Sequence, residues 1–247
     1  MGKVVAEEEV DQQMSRGEAK RALWLALLGA FLLLAVSGCA SDGGGQAKAH
    51  AILQPGKPLA PGKYTTKEFE PRLSFEVGKG WRVAGPEYPN SFGIEWRDSR
   101  AGPDPSIIFL DAPSEVFSRR KPEELAPVPA PEDWVAWFRG HPSLEVGKPQ
   151  AASVGGIEGR QFTMSVDLLP GEDYNSAWCG GDRLVPLWQL PEGGAVCHVE
   201  GTVDWIIVLE DVGGKTVLID VGAEASKFED FVPRAEKVLD TVEWRGT

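Results

Sequence analysis

Positive charge is scarce in this 247-residue chain: 25 Lys and Arg stand against 37 Asp and Glu, a net charge of −12. That balance excludes a nucleic-acid partner, because phosphate contacts need a cationic surface. Cysteine and histidine are scarcer still, at three each. Three cysteines cannot staple a disulfide-dense miniature fold, and their odd number leaves one to be explained. The histidines, His50, His141 and His198, share no ligand spacing of the His-Glu-x-x-His kind, so no metal site is expected. Nor is there a Gly-x-Ser-x-Gly elbow, a phosphate-binding loop or a Gly-x-Gly-x-x-Gly turn, so no catalytic residue and no cofactor are assigned.

What the chain does have begins with an address. Residues 22–36 (ALWLALLGAFLLLAV) are uncharged and almost wholly apolar. The run is shorter than the ~20 residues of a spanning helix but fits the core of a signal peptide. Arg16, Lys20 and Arg21 precede it, and Ser37-Gly38-Cys39 follows. Val36-Ser37-Gly38-Cys39 resembles the lipobox of bacterial lipoproteins: an aliphatic residue, two small ones, then the cysteine that is acylated. The resemblance implies a diacylglyceryl thioether on Cys39 and removal of residues 1–38. It also implies a two-chain anchor in the cell membrane, with the protein on the extracytoplasmic face. An uncleaved anchor with an incidental cysteine is the other reading. Ahead of the run, Glu7, Glu8, Glu9, Asp11 and Glu18 outnumber Lys3, Arg16, Lys20 and Arg21, which does not suit a signal peptide. A start at Met14 restores a basic leader.

Residues 39–62 then form the lipidated cysteine and a flexible tether, carrying Gly43-Gly44-Gly45 and Pro55, Pro58 and Pro61. Residues 63–247 form a single globular domain. Strand-like runs dominate it, at 64–69, 73–77, 92–97, 107–111, 161–168, 204–212 and 215–221. Gly213-Gly214 joins the last two as a tight hairpin turn. Residues 154–159 (VGGIEG) read as a turn into the 161–168 strand, which pairs with one strand of that hairpin. One helix opens with Pro131 at its first position and Glu132 and Asp133 in its first turn, and stops at Gly140 and Pro142. Trp134, Val135, Trp137 and Phe138 form its apolar face. A second helix covers 226–242, with Ser226-x-x-Glu229 as a capping box and a kink or restart expected at Pro233. The sum is an α+β domain, a largely antiparallel sheet with packed helices.

This order resembles the α/β/α sandwich of the Mog1/PsbP-like group. The likeness rests on an extended strand followed by Gly80-Trp81, the VGGIEG turn before a strand, a hairpin and a closing helix. It covers most of residues 63–244 and implies an assembly factor or binding module, with no catalytic constellation to carry over.

Three features bear on chemistry. Glu95 and Asp98 flank Trp96, and Asp204 precedes Trp205, the acidic and aromatic mix of a sugar site; an acid-rich chain also produces such neighbours by composition. Nine tryptophans stand out. Trp81, Trp205 and one of the helical pair suit the core. Trp178 and Trp188 fall in a Gly-, Pro- and Asp-rich stretch, 169–196, that reads as a long loop. Long loops in compact domains are often functional and aromatic anchors mark binding hot spots, so both are candidate binding residues. The plainer reading has them pack the loop onto the sheet. Finally, lipidation takes Cys39, which leaves Cys179 and Cys197 for a disulfide in an oxidising compartment, beside a surface His198. A Cys-Cys-His metal site is the rival.

The expected function is a membrane-anchored, non-catalytic binding or assembly module with a protein partner. A small-ligand-binding lipoprotein with an aromatic pocket is the alternative, and an envelope hydrolase the third reading.

Overall fold

The computed structural model describes residues 54–98, 100–118, 125–168, 174, 179, 183–189 and 195–246. Met14, Cys39, His50, the run 22–36 and Trp178 lie outside them, except that the end of the tether is included. In chain order the strands are β1 (Gly62–Thr65), β2 (Leu73–Val77), β3 (Trp81–Val83), β4 (Ser91–Trp96), β5 (Ser106–Asp111), β6 (Glu115–Phe117) and β7 (Pro127–Pro129). Helix α1 (Trp134–Arg139) follows, then β8 (Leu144–Val146), β9 (Gln150–Val154), β10 (Ile157–Val166), β11 (Leu184–Gln189) and β12 (Ala195–Val199). The long hairpin β13 (Thr202–Val212) and β14 (Lys215–Glu224) leads into α2 (Ala225–Leu239) and the short β15 (Glu243–Trp244).

The main sheet runs β3-β4-β5-β14-β13-β10-β8, with β9 paired to β10 off that path. Its pairings are antiparallel. The hairpin at its centre turns on Gly213 and Gly214, whose φ values of 64° and 83° are the left-handed pair that a two-residue turn requires. Two smaller sheets flank it, ordered β1-β2-β15 and β12-β11-β6-β7.

Side chains alternate across a strand, so each central strand serves two cores. Toward α2 point Ile207, Leu209, Val217 and Ile219, meeting Phe228, Phe231 and Val238 of the helix and Phe75 of β2. Toward α1 and β11 point Ile206, Val208 and Leu218, meeting Trp134, Phe138, Leu187 and Trp188. The domain is thus a largely antiparallel central sheet with a helix and a small sheet against each face. Among the described residues no helix is long and apolar enough to cross a membrane.

Both helices start elsewhere than expected. The carboxylate of Asp133 accepts from the Ala136 amide at 2.9 Å and caps α1, so Pro131 and Glu132 precede the helix rather than open it. Helix α2 begins directly off β14 at Ala225, which puts Ser226 already inside it; the capping box does not form. It also runs unbroken through Pro233. Pro233 and Glu229, the residue whose carbonyl loses its helical partner to the proline, both lie on the exposed side of the helix. In place of a cap, buried Lys227 donates from Nζ to the carbonyls of Ala101 (2.7 Å) and Pro103 (3.1 Å), and pairs with Glu224 at 3.0 Å.

The stretch 169–196 is not simply a loop. It contains β11 and the start of β12, paired antiparallel with an irregularity between Pro186 and Trp188. Pro186 interrupts the strand signal in the sequence, and the ladder absorbs it at that irregularity.

Candidate functional site

The alternation that fills the second core also carries two acids onto it. Asp204 is in step with Ile206 and Val208, and Asp220 with Leu218, so both carboxylates stand on the face toward β12. Ile206 lies opposite Asp220 and Gly222 opposite Asp204, which makes the acids diagonal neighbours on adjacent strands. A Cβ on Gly222 would fall 2.6 Å from Asp204 Oδ1, so glycine leaves the room this carboxylate occupies.

Strand β12 lays His198 across the pair. Its Nδ1 is 2.9 Å from Asp204 Oδ2, and its Nε2 is 3.5 Å from Asp220 Oδ2. A carboxylate only accepts, so Nδ1 carries the proton and donates it to Asp204. The Trp188 ring packs against the imidazole at 5.9 Å between centroids. His198 is 6% exposed, Asp204 5% and Asp220 6%. Among the described residues, His198 Nε2 and Asp220 Oδ1 have no hydrogen-bond partner.

Burial pushes the His198 pKa down, but the carboxylates of Asp204 and Asp220 outweigh it and carry the value up to about 9. Asp220 is displaced well above the usual carboxylate range, first by burial, then by Asp204, against the attraction of His198. Two buried carboxylates facing one imidazole are an unbalanced charge, and burying such an imbalance is costly. The cluster opens into a cleft of about 240 Å³ whose lining also includes Pro103, Cys197, Thr202 and Glu224.

Cys179 and Cys197 form a disulfide with their Cα atoms 6.1 Å apart, as expected. It fastens β12 at the residue before His198. His198 is not the surface residue expected beside it: neighbours on a strand face opposite ways, and His198 takes the side toward the main sheet.

The other residues singled out in the sequence disperse. Trp188 is 1% exposed and packs edge-on against Trp134 and Phe138, at 6.5 and 6.3 Å. It is a core residue of β11 rather than an anchor on a loop. One side of it nonetheless lines a second cleft, of about 360 Å³, with Asn90, Asp111, Ser114, Glu115 and Gln189, and its Nε1–H has no acceptor among the described residues. Glu95 pairs with Arg82 at 2.6 Å and Asp98 with Arg100 at 2.8 Å, so the acids flanking Trp96 are each held by an arginine. Trp81 is in the core as expected, while Trp205 is only partly buried and donates to Gln161 at 3.1 Å. His141 is buried, and its Nδ1 accepts from the Ser143 amide. Asp220 was not singled out. Its signal was an acid in step with Leu218 on a strand otherwise buried.

No family model and no curated protein matches the chain. Solved structures similar to it include LpqN of Mycobacterium tuberculosis, described as involved in cell envelope biogenesis. That match has 11% identity and a TM-score of 0.37, over 76% of this chain and 88% of that one. The cyanobacterial PsbP (CyanoP) of Synechocystis sp. PCC 6803 is similar at 11% and 0.37, over 78% of this chain and 97% of that one. The likeness concerns a mainly antiparallel sheet with few helices, and it brings across neither an activity nor a site residue.

Proposed function

We propose that this chain is a lipid-anchored extracytoplasmic protein that works by binding a protein partner rather than by turning over a substrate. The observation that carries the reading is the Cys179–Cys197 disulfide. It takes two of the three cysteines and leaves Cys39 as the one thiol, where Val36-Ser37-Gly38-Cys39 puts the lipid acceptor. Persistent disulfides belong outside the reducing cytosol, the side of the membrane that this motif implies.

Binding rather than turnover is supported by how the described histidines are engaged. A general base needs a free acceptor beside a group to activate. His141 Nδ1 already accepts from a backbone amide, and His198 Nε2 faces a carboxylate, not a hydroxyl or thiol. The test starts from Cys39→Ala in the full-length chain. It is expected to accumulate as unprocessed precursor without acyl chains, as read by mass spectrometry. A mature terminus still at residue 39 with unchanged partitioning refutes the anchor. Crosslinking in solubilised membranes should recover a saturable protein partner, and recovery that never saturates counts against the binding role.

The buried Nε1–H of Trp188, without an acceptor among the described residues, favours a second reading, a small polar ligand in the cleft of about 360 Å³. Trp188→Phe keeps the packing and removes the donor, so it should abolish that binding alone.

A further inference from the structure

We infer that His198 and Asp220 form a site for a divalent transition-metal ion of the Zn²⁺ or Mn²⁺ type, with Asp204 positioning the imidazole. The inference does not depend on the binding role proposed above. Its first support is spacing. Nitrogen and oxygen ligands about 2.0–2.2 Å from a tetrahedral ion lie roughly 3.4 Å from each other. His198 Nε2 and Asp220 Oδ2 are 3.5 Å apart, too far for a good hydrogen bond and right for two ligands of one ion.

The second support is orientation. A metal-bound histidine typically donates its other ring N–H to a carboxylate, which fixes the tautomer and aims the lone pair. Asp204 holds Nδ1 in that way at 2.9 Å, which turns Nε2 toward Asp220. The third is that Nε2 and Asp220 Oδ1 are both buried and have no hydrogen-bond partner among the described residues. Buried polar atoms left unpaired are uncommon and costly, and an ion held by Nε2 and by both oxygens of Asp220 would satisfy them together.

A divalent ion bound here would displace the proton that His198 otherwise holds, and its charge would offset the two aspartates once both are ionised. The donor set selects the kind of ion. Cys197 is locked in the disulfide, so no thiolate is offered, and imidazole with carboxylate suits Zn²⁺ or Mn²⁺ better than copper(I). Water from the cleft completes the coordination, leaving an open site.

The experiment uses the mature full-length protein in detergent, stripped with chelator and titrated with Zn²⁺ against a chromophoric indicator. One equivalent per chain is expected. His198→Gln and Asp220→Asn should each weaken binding by on the order of tenfold or more, and Asp204→Asn by roughly tenfold with unchanged stoichiometry. Failure to find a one-to-one site overturns the inference. So does unchanged affinity in His198→Gln, which would place the ion on other ligands such as His50 or His141. Should the variants not fold, Mn²⁺-loaded wild type decides by electron spin echo: nitrogen coupling from one imidazole supports the site, and its absence refutes it.

Discussion

Toward α2 the hairpin strands present Ile207, Leu209, Val217, Ile219 and Val221; toward β11 and β12 they present Asp204, Ile206, Val208, Leu218 and Asp220. The two lists interleave residue by residue along the same two strands. The first face is closed over by a helix and a sheet with mainly apolar contacts. The second is closed by aromatics at one end and ends in a charged cluster at the other. A register slip of one residue would exchange the two and bury the acids against Phe231. The comparison teaches a division of labour: one face supplies cohesion, the other the groups with chemistry left to do.

The largest effect should come from breaking the cohesive face. Phe231 is 1% exposed, so Phe231→Ala is expected to cost about 3–5 kcal/mol by guanidinium denaturation. Zn²⁺ affinity of the folded variant should stay unchanged, and a parallel loss would show that the faces are not separate. Next comes the staple on the chemical face. Replacing Cys179 and Cys197 together by Ala should remove roughly 3 kcal/mol, because their sequence separation is 18. The melting temperature measures it, and Zn²⁺ binding should weaken as β12 loosens.

Gly222→Ala sharpens the contrast further. Its methyl would displace Asp204, at a cost of about 1–3 kcal/mol, with a Zn²⁺ affinity that falls although the protein still folds. Titration beside denaturation separates the two effects.

The smallest effect is a pH slope in chelator-treated protein. His198 holds its proton to about 9 in the fold, whereas in the unfolded chain it ionises near 6.5. Its contribution is therefore complete below pH 6.5 and is lost as pH rises through about 9. Asp220, also shifted upward, acts in the same direction, because ionising it costs more inside the fold. Asp204 faces the ring from β13, and Asp104 and Glu224 are the further acids of the cleft wall. The melting temperature should fall between pH 6.5 and 9, and His198→Gln should flatten the slope. A wild-type slope of opposite sign would mean that His198 is neutral in the fold.

The cohesive face was the legible one. Two β-rich runs, 204–212 and 215–221, with Gly213-Gly214 between them, sufficed to place the hairpin, and the spacing of Phe228, Phe231, Val238 and Leu239 sufficed for α2. The chemical face was not, for physical reasons. Its closing strands β11 and β12 are short, carry Pro186 and are split by a Gly-rich stretch, so local signals read as loop. Asp204 was noticed beside Trp205, its neighbour on the opposite face, while Asp220 reaches it by the pairing of β14 with β13 and His198 by the packing of the β12 sheet on that face. Pairing across strands is a tertiary fact that period and propensity do not carry.

Lys227 ties the two faces together. It belongs to the first turn of α2, yet its ammonium grips Ala101 and Pro103, and Pro103 and Glu224 wall the metal cleft on the other side. Local opening of that turn therefore releases the rim of the cleft as well, while the ladder between β13 and β14 is still intact. Amides around 101–105 and 225–228 should exchange with solvent as one unit, ahead of the sheet. The rim of the cleft is thus tied to a helix end, whose opening is far less costly than global unfolding.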